Sequence, residues 1–269
     1  MTITDFAPID LAELNDQAAL QTRVDRKYLV PTETATALAR WLHPETRVLT
    51  IDGCASQEYH SVYFDTPDLH SYLLTARRRR GRFKVRTRAY RDTGTAFLEV
   101  KTRGARGLTH KVRIPHTIDD LDELAPPARL YVAAALAEAG PDATPVWQLA
   151  PTLTTTYRRT TLLLPPSGAQ GPTRLTIDTD LEWRLVQAGR PTIQLYRPDL
   201  AIIETKSCTG AGPADQLLWQ RGIRPIAFSK YATGLAALRP DLPANRWSRV
   251  LRTTLTPGTP IAITDKESA

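Results

Sequence analysis

The sequence predicts an α+β fold: an antiparallel sheet of about eight or more strands, mostly hairpin-connected, with helices at its edges. Two observations carry this. Many segments alternate polar and apolar residues with a period of two, the mark of strands with two unlike faces. Turn signals and short helical segments separate them. A third observation gives the fold its character. Arg77–Arg113 holds fourteen Lys and Arg but only Asp92 and Glu99, a net charge of +12 in a chain whose total is +7. Lys84, Arg86 and Arg88 alternate with Val85 and Thr87; Glu99, Lys101 and Arg103 with Leu98, Val100 and Thr102; Lys111 and Arg113 with Val112 and Ile114. Three strands in a row thus present cationic faces. A solvated sheet face ordinarily mixes signs, because like charges opposite one another weaken strand pairing. The apolar faces are expected to pack outward on helices and the charged faces to line a cavity that holds water or a polyanion, since unpaired buried charge is costly.

The chain contains 269 residues, enough for one large domain or two small ones. A hydrophobic content of 42% suits a globular protein with a sizeable core, and a pI near 9.6 favours anionic partners. Two distant cysteines, Cys54 and Cys208, form neither a zinc motif nor a disulfide framework and fit a reducing, cytoplasmic setting. The N-terminus has no signal-peptide pattern, and no apolar run is long enough to span a bilayer.

In chain order, a short amphipathic helix is expected near Asp10–Leu20. A first strand at 21–30 places Arg23, Asp25 and Lys27 on one face. Thr32 begins a helix with Ala35, Leu38, Ala39 and Leu42 at helical spacing, ended by Pro44. Strands near Val48–Ile51 and Glu58–Phe64 lead to the turn Asp65-Thr66-Pro67-Asp68 and a helical turn at Leu69–Leu74. The basic strands follow. Asp119–Ala139 reads as a helical segment interrupted at Pro126-Pro127. Strands at 152–164 and 173–187 come next, the second carrying Arg174, Thr176, Asp178 and Asp180 on one face. Gly189-Arg190-Pro191 reads as a hairpin turn. The strand at 200–206 puts Ile202, Glu204 and Lys206 on one face. Helices are expected at Pro213–Gln220 and Ser229–Leu238. One domain is expected over 1–255 with its core at 22–238, and a disordered tail over 256–269.

Arg forks and Lys point charges on such faces suit phosphate oxygens, with Lys84, Arg113 and Lys206 among the contacts. A few acids among the cations suggest Mn²⁺ or Mg²⁺ shared with phosphate oxygens, with Glu204 the first candidate and Glu99 the second. Glu99 reads equally as a salt-bridge partner that spaces the basic side chains. Asp178 and Asp180 read as partners for arginines. The chemistry implied is phosphoryl transfer by positioning and charge neutralisation. The Arg77–Arg80 run, taken alone, reads as a solvated loop or a loose nucleic-acid patch.

VDRKYLV (24–30), YHSVYFDTPDLHSY (59–72), KVRTRAY (84–90), FLEVKTR (97–103), TTYRRT (155–160), RLTIDTDL (174–181), IIETKS (202–207) and FSKYATGL (228–235) occur in an order that resembles the VTC (vacuolar transporter chaperone) domain of the triphosphate tunnel metalloenzyme (CYTH-like) superfamily. The resemblance implies an antiparallel β-barrel tunnel with peripheral helices. It implies a polyphosphate polymerase that moves the ATP γ-phosphate onto a polyphosphate chain with Mn²⁺ or Mg²⁺. Carried over, Lys27 matches the first-strand lysine, Arg86 and Arg88 the tunnel Arg-x-Arg, and Lys101 and Lys111 the lysines of the next two strands. Tyr157 and Arg159 match the Tyr-x-Arg, Arg174 the arginine of the sixth motif, Glu204 the metal-binding glutamate, and Ser229 and Lys230 the Ser-Lys of the C-terminal helix. Three departures stand out. Arg23 replaces the first acid of the Glu-x-Glu-x-Lys of the superfamily's hydrolases. Ala227 stands where eukaryotic polymerases tend to have lysine. A phosphate-sensing SPX domain and a membrane segment are missing from the sequence, so a separate membrane protein would serve any translocation. A hydrolase of triphosphate or nucleotides and a non-catalytic polyphosphate- or nucleic-acid-binding module remain the alternatives. Nucleic acid is the less favoured ligand, because few aromatics interleave with the basic strands.

Overall fold

A computed structural model describes residues 2–17, 24–103, 109–140, 144–168, 170–187, 192–207, 210–255 and 261–263. Expectations for Arg23, the far end of the first helix, the Gly189-Arg190-Pro191 turn, Cys208 and most of the tail lie outside these residues.

The main elements run in the order β1 (Ala7–Ile9), α1 (Leu11–Gln17), β2 (Val24–Pro31), α2 (Thr32–Ala37), β3 (Arg47–Leu49), β4 (Ser56–Asp65), α3 (His70–Ala76), β5 (Phe83–Tyr90), β6 (Thr95–Arg103), β7 (Thr109–His116), α4 (Pro126–Ala139), β8 (Ala150–Leu164), β9 (Thr173–Leu185), β10 (Thr192–Arg197), β11 (Leu200–Ser207), α5 (Pro213–Gln220), α6 (Lys230–Leu238) and β12 (Ile261–Ile263). The α+β class with a mostly antiparallel sheet is as expected. Two details differ. Pro126 and Pro127 start α4 rather than interrupt a longer helix, because proline lacks the N–H that a first-turn position leaves unbonded anyway. In the tail, Ile261–Ile263 pairs with Thr192–Gln194 of β10, so backbone hydrogen bonding orders a short strand where composition predicted none.

The chain divides into two compact units. The first comprises 1–58, 157–181 and 197–227; the second comprises 59–156, 182–196 and 228–269. In the first unit β11 lies between β2 and β9, antiparallel to both. Its apolar face carries Tyr28, Val30, Leu175, Ile177, Ala201 and Ile203, packed with Leu38 of the turn after α2 and with Leu218 of α5. The opposite face carries Lys27, Glu204, Lys206, Arg174 and Asp178, as the alternation requires.

In the second unit β4, β5, β6 and β7 form an antiparallel meander. Val62, Phe64, Val85, Leu98 and Val100 face Val132 and Leu136 of α4. Thus one helix covers one side of the meander, and the cationic side chains lie on the other.

Buried polar residues fix the helices. Asp215, fully buried, accepts hydrogen bonds from the Tyr28 hydroxyl at 2.6 Å, the Thr205 hydroxyl at 2.5 Å and the Gly212 N–H at 2.9 Å. Arg26 adds an ion pair at 3.2 Å. One carboxylate therefore joins β2, β11 and the start of α5, and its reach back to the Gly212 N–H is a helix cap. In the second unit Asp65 accepts from the N–H groups of Ser71 at 2.8 Å and Tyr72 at 2.9 Å, at the start of α3, and from the Tyr231 hydroxyl of α6. Burial pushes the Asp65 carboxyl up, against the pull of these hydrogen bonds.

Asp215→Ala removes the acceptor of two buried hydroxyls and the partner of the half-buried Arg26, which keeps the Gly210 carbonyl, and is expected to cost about 2–4 kcal/mol of unfolding free energy. Chemical denaturation checks this; a loss below about 1 kcal/mol would contradict the role given to Asp215. Gly234→Ala places a methyl 2.2 Å from Trp183 Cδ1 and is expected to cost roughly 1–3 kcal/mol by overpacking, read in the same assay.

Candidate functional site

Each unit carries its own charged cluster. In the second unit strand register sets rows of side chains across the meander. Tyr63, Arg86, Glu99 and Arg113 form one row, and Lys84, Lys101 and Lys111 the next. Side chains directly opposite lie about 5 Å apart. Two like charges at that distance repel by roughly 3 kcal/mol in a protein-like dielectric and under about 1 kcal/mol in water. One carboxylate relieves this crowd. Glu99, 2% exposed, accepts from Arg86 Nε at 2.8 Å and Nη2 at 2.5 Å, and from Lys111 Nζ at 2.5 Å. Burial alone would raise the Glu99 carboxyl, but Arg86, Arg88 and Lys111 hold it far below the usual carboxylate range.

Around this centre the side chains interlock. Arg86 donates to the Tyr63 hydroxyl at 2.9 Å, and Tyr63 stacks on Tyr231 with centroids 5.1 Å apart. Burial would push the Tyr63 phenol up, but the charges of Arg86, Arg88 and Lys230 outweigh it and pull it down. Arg88, buried, donates to Ser61 at 3.2 Å and lies over Tyr59. Arg113 lies 4.4 Å from the centroid of Phe97. Ser229 caps α6 by accepting from the Ala232 N–H at 3.1 Å, and it also accepts from Lys84 Nζ at 2.8 Å. Lys230 opens the same helix, its carbonyl fixed by the Trp183 indole at 2.8 Å.

In the first unit Glu204 takes the central place. Register sets it between Lys27 on β2 and Thr176 on β9. Its carboxylate meets Lys206 Nζ at 2.8 Å and Lys27 Nζ at 3.7 Å. Burial would raise its pKa, yet Lys206, Lys27 and Arg159 hold it well below the ordinary value. Lys206 is itself lowered, by burial and despite Glu204. Arg159 grips the buried Asp178 with both arms of its fork, Nε at 2.5 Å and Nη2 at 2.8 Å, and lies over the ring of Tyr157. That is the acid–arginine pairing expected for Asp178. Arg174 donates to the Leu14 carbonyl at 3.0 Å and to Asn15 at 3.3 Å, which ties it to α1.

The structure thus brings Arg86, Glu99, Lys111, Lys84 and Ser229 together in one unit, and Lys27, Glu204, Lys206, Arg159 and Tyr157 in the other. Tyr63 and Ser61 were missed among site residues, although both lie in YHSVYFDTPDLHSY. The signal was there: alternation on β4 puts both on the face that meets Arg86 and Arg88.

Among the described residues no three His, Cys, Asp or Glu side chains converge on a point that could hold a metal. Glu204 is a single carboxylate already contacted by two lysines. This donor set fits a divalent ion that arrives with phosphate oxygens supplying most of its ligands, with Glu204 as the protein's contribution.

Lys111 carries a testable pH signature. Burial lowers its ammonium to about 8, against the opposing pull of Glu99. A phosphate ligand favours the charged form, so affinity for tripolyphosphate is expected to fall as pH rises from 7 to 9. Lys111→Arg, which stays charged, is expected to flatten that step. Equal pH profiles for the two proteins would contradict it. The stability effect has the opposite sign. The folded-state value lies below the unfolded one, so the unfolded chain binds more protons between about 8 and 10.5, and Lys111 makes stability rise with pH across that window.

Comparison with known proteins gives one family match. Residues 22–239 match the model of the VTC domain. A search of curated proteins finds no match. Among solved structures, the putative adenylyl cyclase HpAC1 from Hippeastrum, whose description reports a dominant triphosphatase activity, aligns with a TM-score of 0.40 at 17% identity, covering 84% of this chain and 100% of that one. A conserved hypothetical protein from Pyrococcus furiosus aligns with a TM-score of 0.36 at 13% identity, covering 76% and 92%. The PH1012 protein from Pyrococcus horikoshii OT3 aligns with a TM-score of 0.33 at 10% identity, covering 76% and 92%. Scores this low carry no argument; the family match covers most of the sequence, and the chain belongs to the VTC domain family.

Proposed function

We propose that this chain is a polyphosphate polymerase that transfers the γ-phosphoryl group of ATP to a polyphosphate chain. The observation that supports it most is the row Lys84–Lys101–Lys111 beside Arg86 and its clamp Glu99. Cations set in successive rows along a face suit a ligand that carries negative charge along its length. Membership of the VTC family supports the same reading.

In this reading a terminal phosphate oxygen of the acceptor attacks the γ-phosphorus. The bond from that phosphorus to the β,γ-bridging oxygen breaks, and ADP leaves with the electron pair. The attacking oxygen is already ionised at neutral pH, so no strong general base is required. The protein positions the phosphates and stabilises the charge that shifts toward the leaving oxygen. Arg86, Arg88, Arg159 and Arg174 supply guanidinium forks. Lys27, Lys101, Lys111 and Lys230 supply point charges, and Lys84, Lys206, Arg113, Tyr157 and Ser229 add contacts. Glu99 and Glu204 keep the cations charged and aimed. A divalent ion, Mn²⁺ or Mg²⁺, bound through Glu204, would neutralise charge on the donor phosphates. Among the described residues no helix is long and apolar enough to cross a membrane. The proposal places the protein in the cytoplasm, with a separate membrane protein as partner if the polymer is to be translocated.

Purified protein with ATP and Mn²⁺ is expected to make an acid-stable phosphate polymer visible on a gel. Glu204→Ala and Lys27→Ala are each expected to reduce the rate by roughly 10²–10³-fold. No polymer, together with phosphate released from tripolyphosphate, would overturn the proposal in favour of a tunnel hydrolase.

A further inference from the structure

The Arg77–Arg80 run has no part in the clusters above. Arg78 follows α3 in a left-handed conformation, φ +53°, and its N–H donates to the Thr75 carbonyl at 3.3 Å. The same carbonyl lies 3.5 Å from Arg246 Nη1. The Arg78 backbone and the Arg246 guanidinium therefore meet at the C-terminal end of α3. The Arg103 N–H donates to the Arg82 carbonyl at 2.9 Å, which carries the β5–β6 ladder one pair further. Arg82 stands two residues before Lys84 and Arg103 two after Lys101, so both side chains continue the cationic face.

These four arginines form one electrostatic group. Burial, and then the charges of Arg82, Arg78 and Arg103, lower Arg246; burial, and then the charges of Arg103 and Arg78, lower Arg82. Arg246 Nε is buried and has no hydrogen-bond partner among the described residues. A helix C-terminus attracts cations, but it offers only about half a charge, far less than four guanidiniums. Among the described residues no carboxylate forms an ion pair with any of the four.

We propose that Arg78, Arg82, Arg103 and Arg246 form a further phosphate subsite that holds polyphosphate beyond the Lys84–Lys101–Lys111 row, several phosphates from the reacting end. The proposal rests on polyphosphate being the ligand of that row. Each two-residue step along the ladder advances roughly 7 Å, so a ligand touching both groups must be extended and charged throughout. A single-stranded nucleic acid would also need exposed rings for its bases, and the aromatic neighbours here, Phe83 and Trp247, are buried.

The test compares a long, fluorescently labelled polyphosphate with tripolyphosphate, by anisotropy, at several salt concentrations. It uses wild type, the pair Arg82→Gln with Arg103→Gln, and Arg246→Gln alone. Arg103 is exposed, so the pair carries the test if Arg246→Gln fails to fold. The ratio of long-chain to tripolyphosphate affinity is expected to fall at least tenfold in the pair. Its log–log salt slope is expected to drop by roughly 0.7 for each arginine removed. An unchanged ratio overturns the subsite and leaves the polymerase reading standing. A wild type that makes no polymer, yet loses long-chain binding on substitution, overturns the polymerase reading and leaves the subsite. Loss of single-stranded oligonucleotide binding with long-chain polyphosphate binding intact overturns the subsite in favour of nucleic acid.

Discussion

Cations set side by side on a pleated sheet repel one another, and that repulsion is the constraint on which both charged faces depend. Each face meets it with largely buried carboxylates set among the cations: Glu99 in the meander, Glu204 and Asp178 in the other unit. In the meander, Glu99 joins Arg86 and Lys111; in the other unit, Glu204 joins Lys206 and Lys27. Fewer acids than bases leave each face net positive while lowering the repulsion enough for the strands to pair. Full neutralisation would quiet the face and leave nothing to attract an anion. Absence of the acids would set the cations against one another and against burial.

The rest of the architecture serves to hold such a face open. Period-two strands put apolar residues on one side, where α4 covers the meander and α5 with the α2 region covers β2, β11 and β9. The helices are held by buried carboxylates on the covered side or at strand ends. Asp215 gathers Tyr28, Thr205 and Arg26. Asp65 starts α3 and catches Tyr231, whose ring stacks on Tyr63 beside Arg86. A route of direct contacts thus runs from a helix start to a guanidinium on the charged face.

Much of this was legible in the sequence, because alternation is a local property. The faces of β5, β6, β7 and β11 follow from counting residues in twos, and α6 from Ser229 ahead of an apolar run. Register is a long-range property, and alternation does not encode it. Nothing in the sequence sets Glu99 against both Arg86 and Lys111, ties Arg174 to α1, or brings Arg246 to the end of α3. The tail strand Ile261–Ile263 was missed for a related reason: its pairing with β10 is decided by a partner some 70 residues away. Pro126-Pro127 read as a break because proline ends helices more visibly than it begins them.

The most direct test of the account is a crystal structure with tripolyphosphate bound. The account predicts phosphate oxygens within hydrogen-bond distance of Arg86 and Lys111, with Glu99 still clasping both. Tripolyphosphate bound elsewhere, with Arg86 and Lys111 making no contact to it, would contradict the claim that the clasped cations are the phosphate-binding groups.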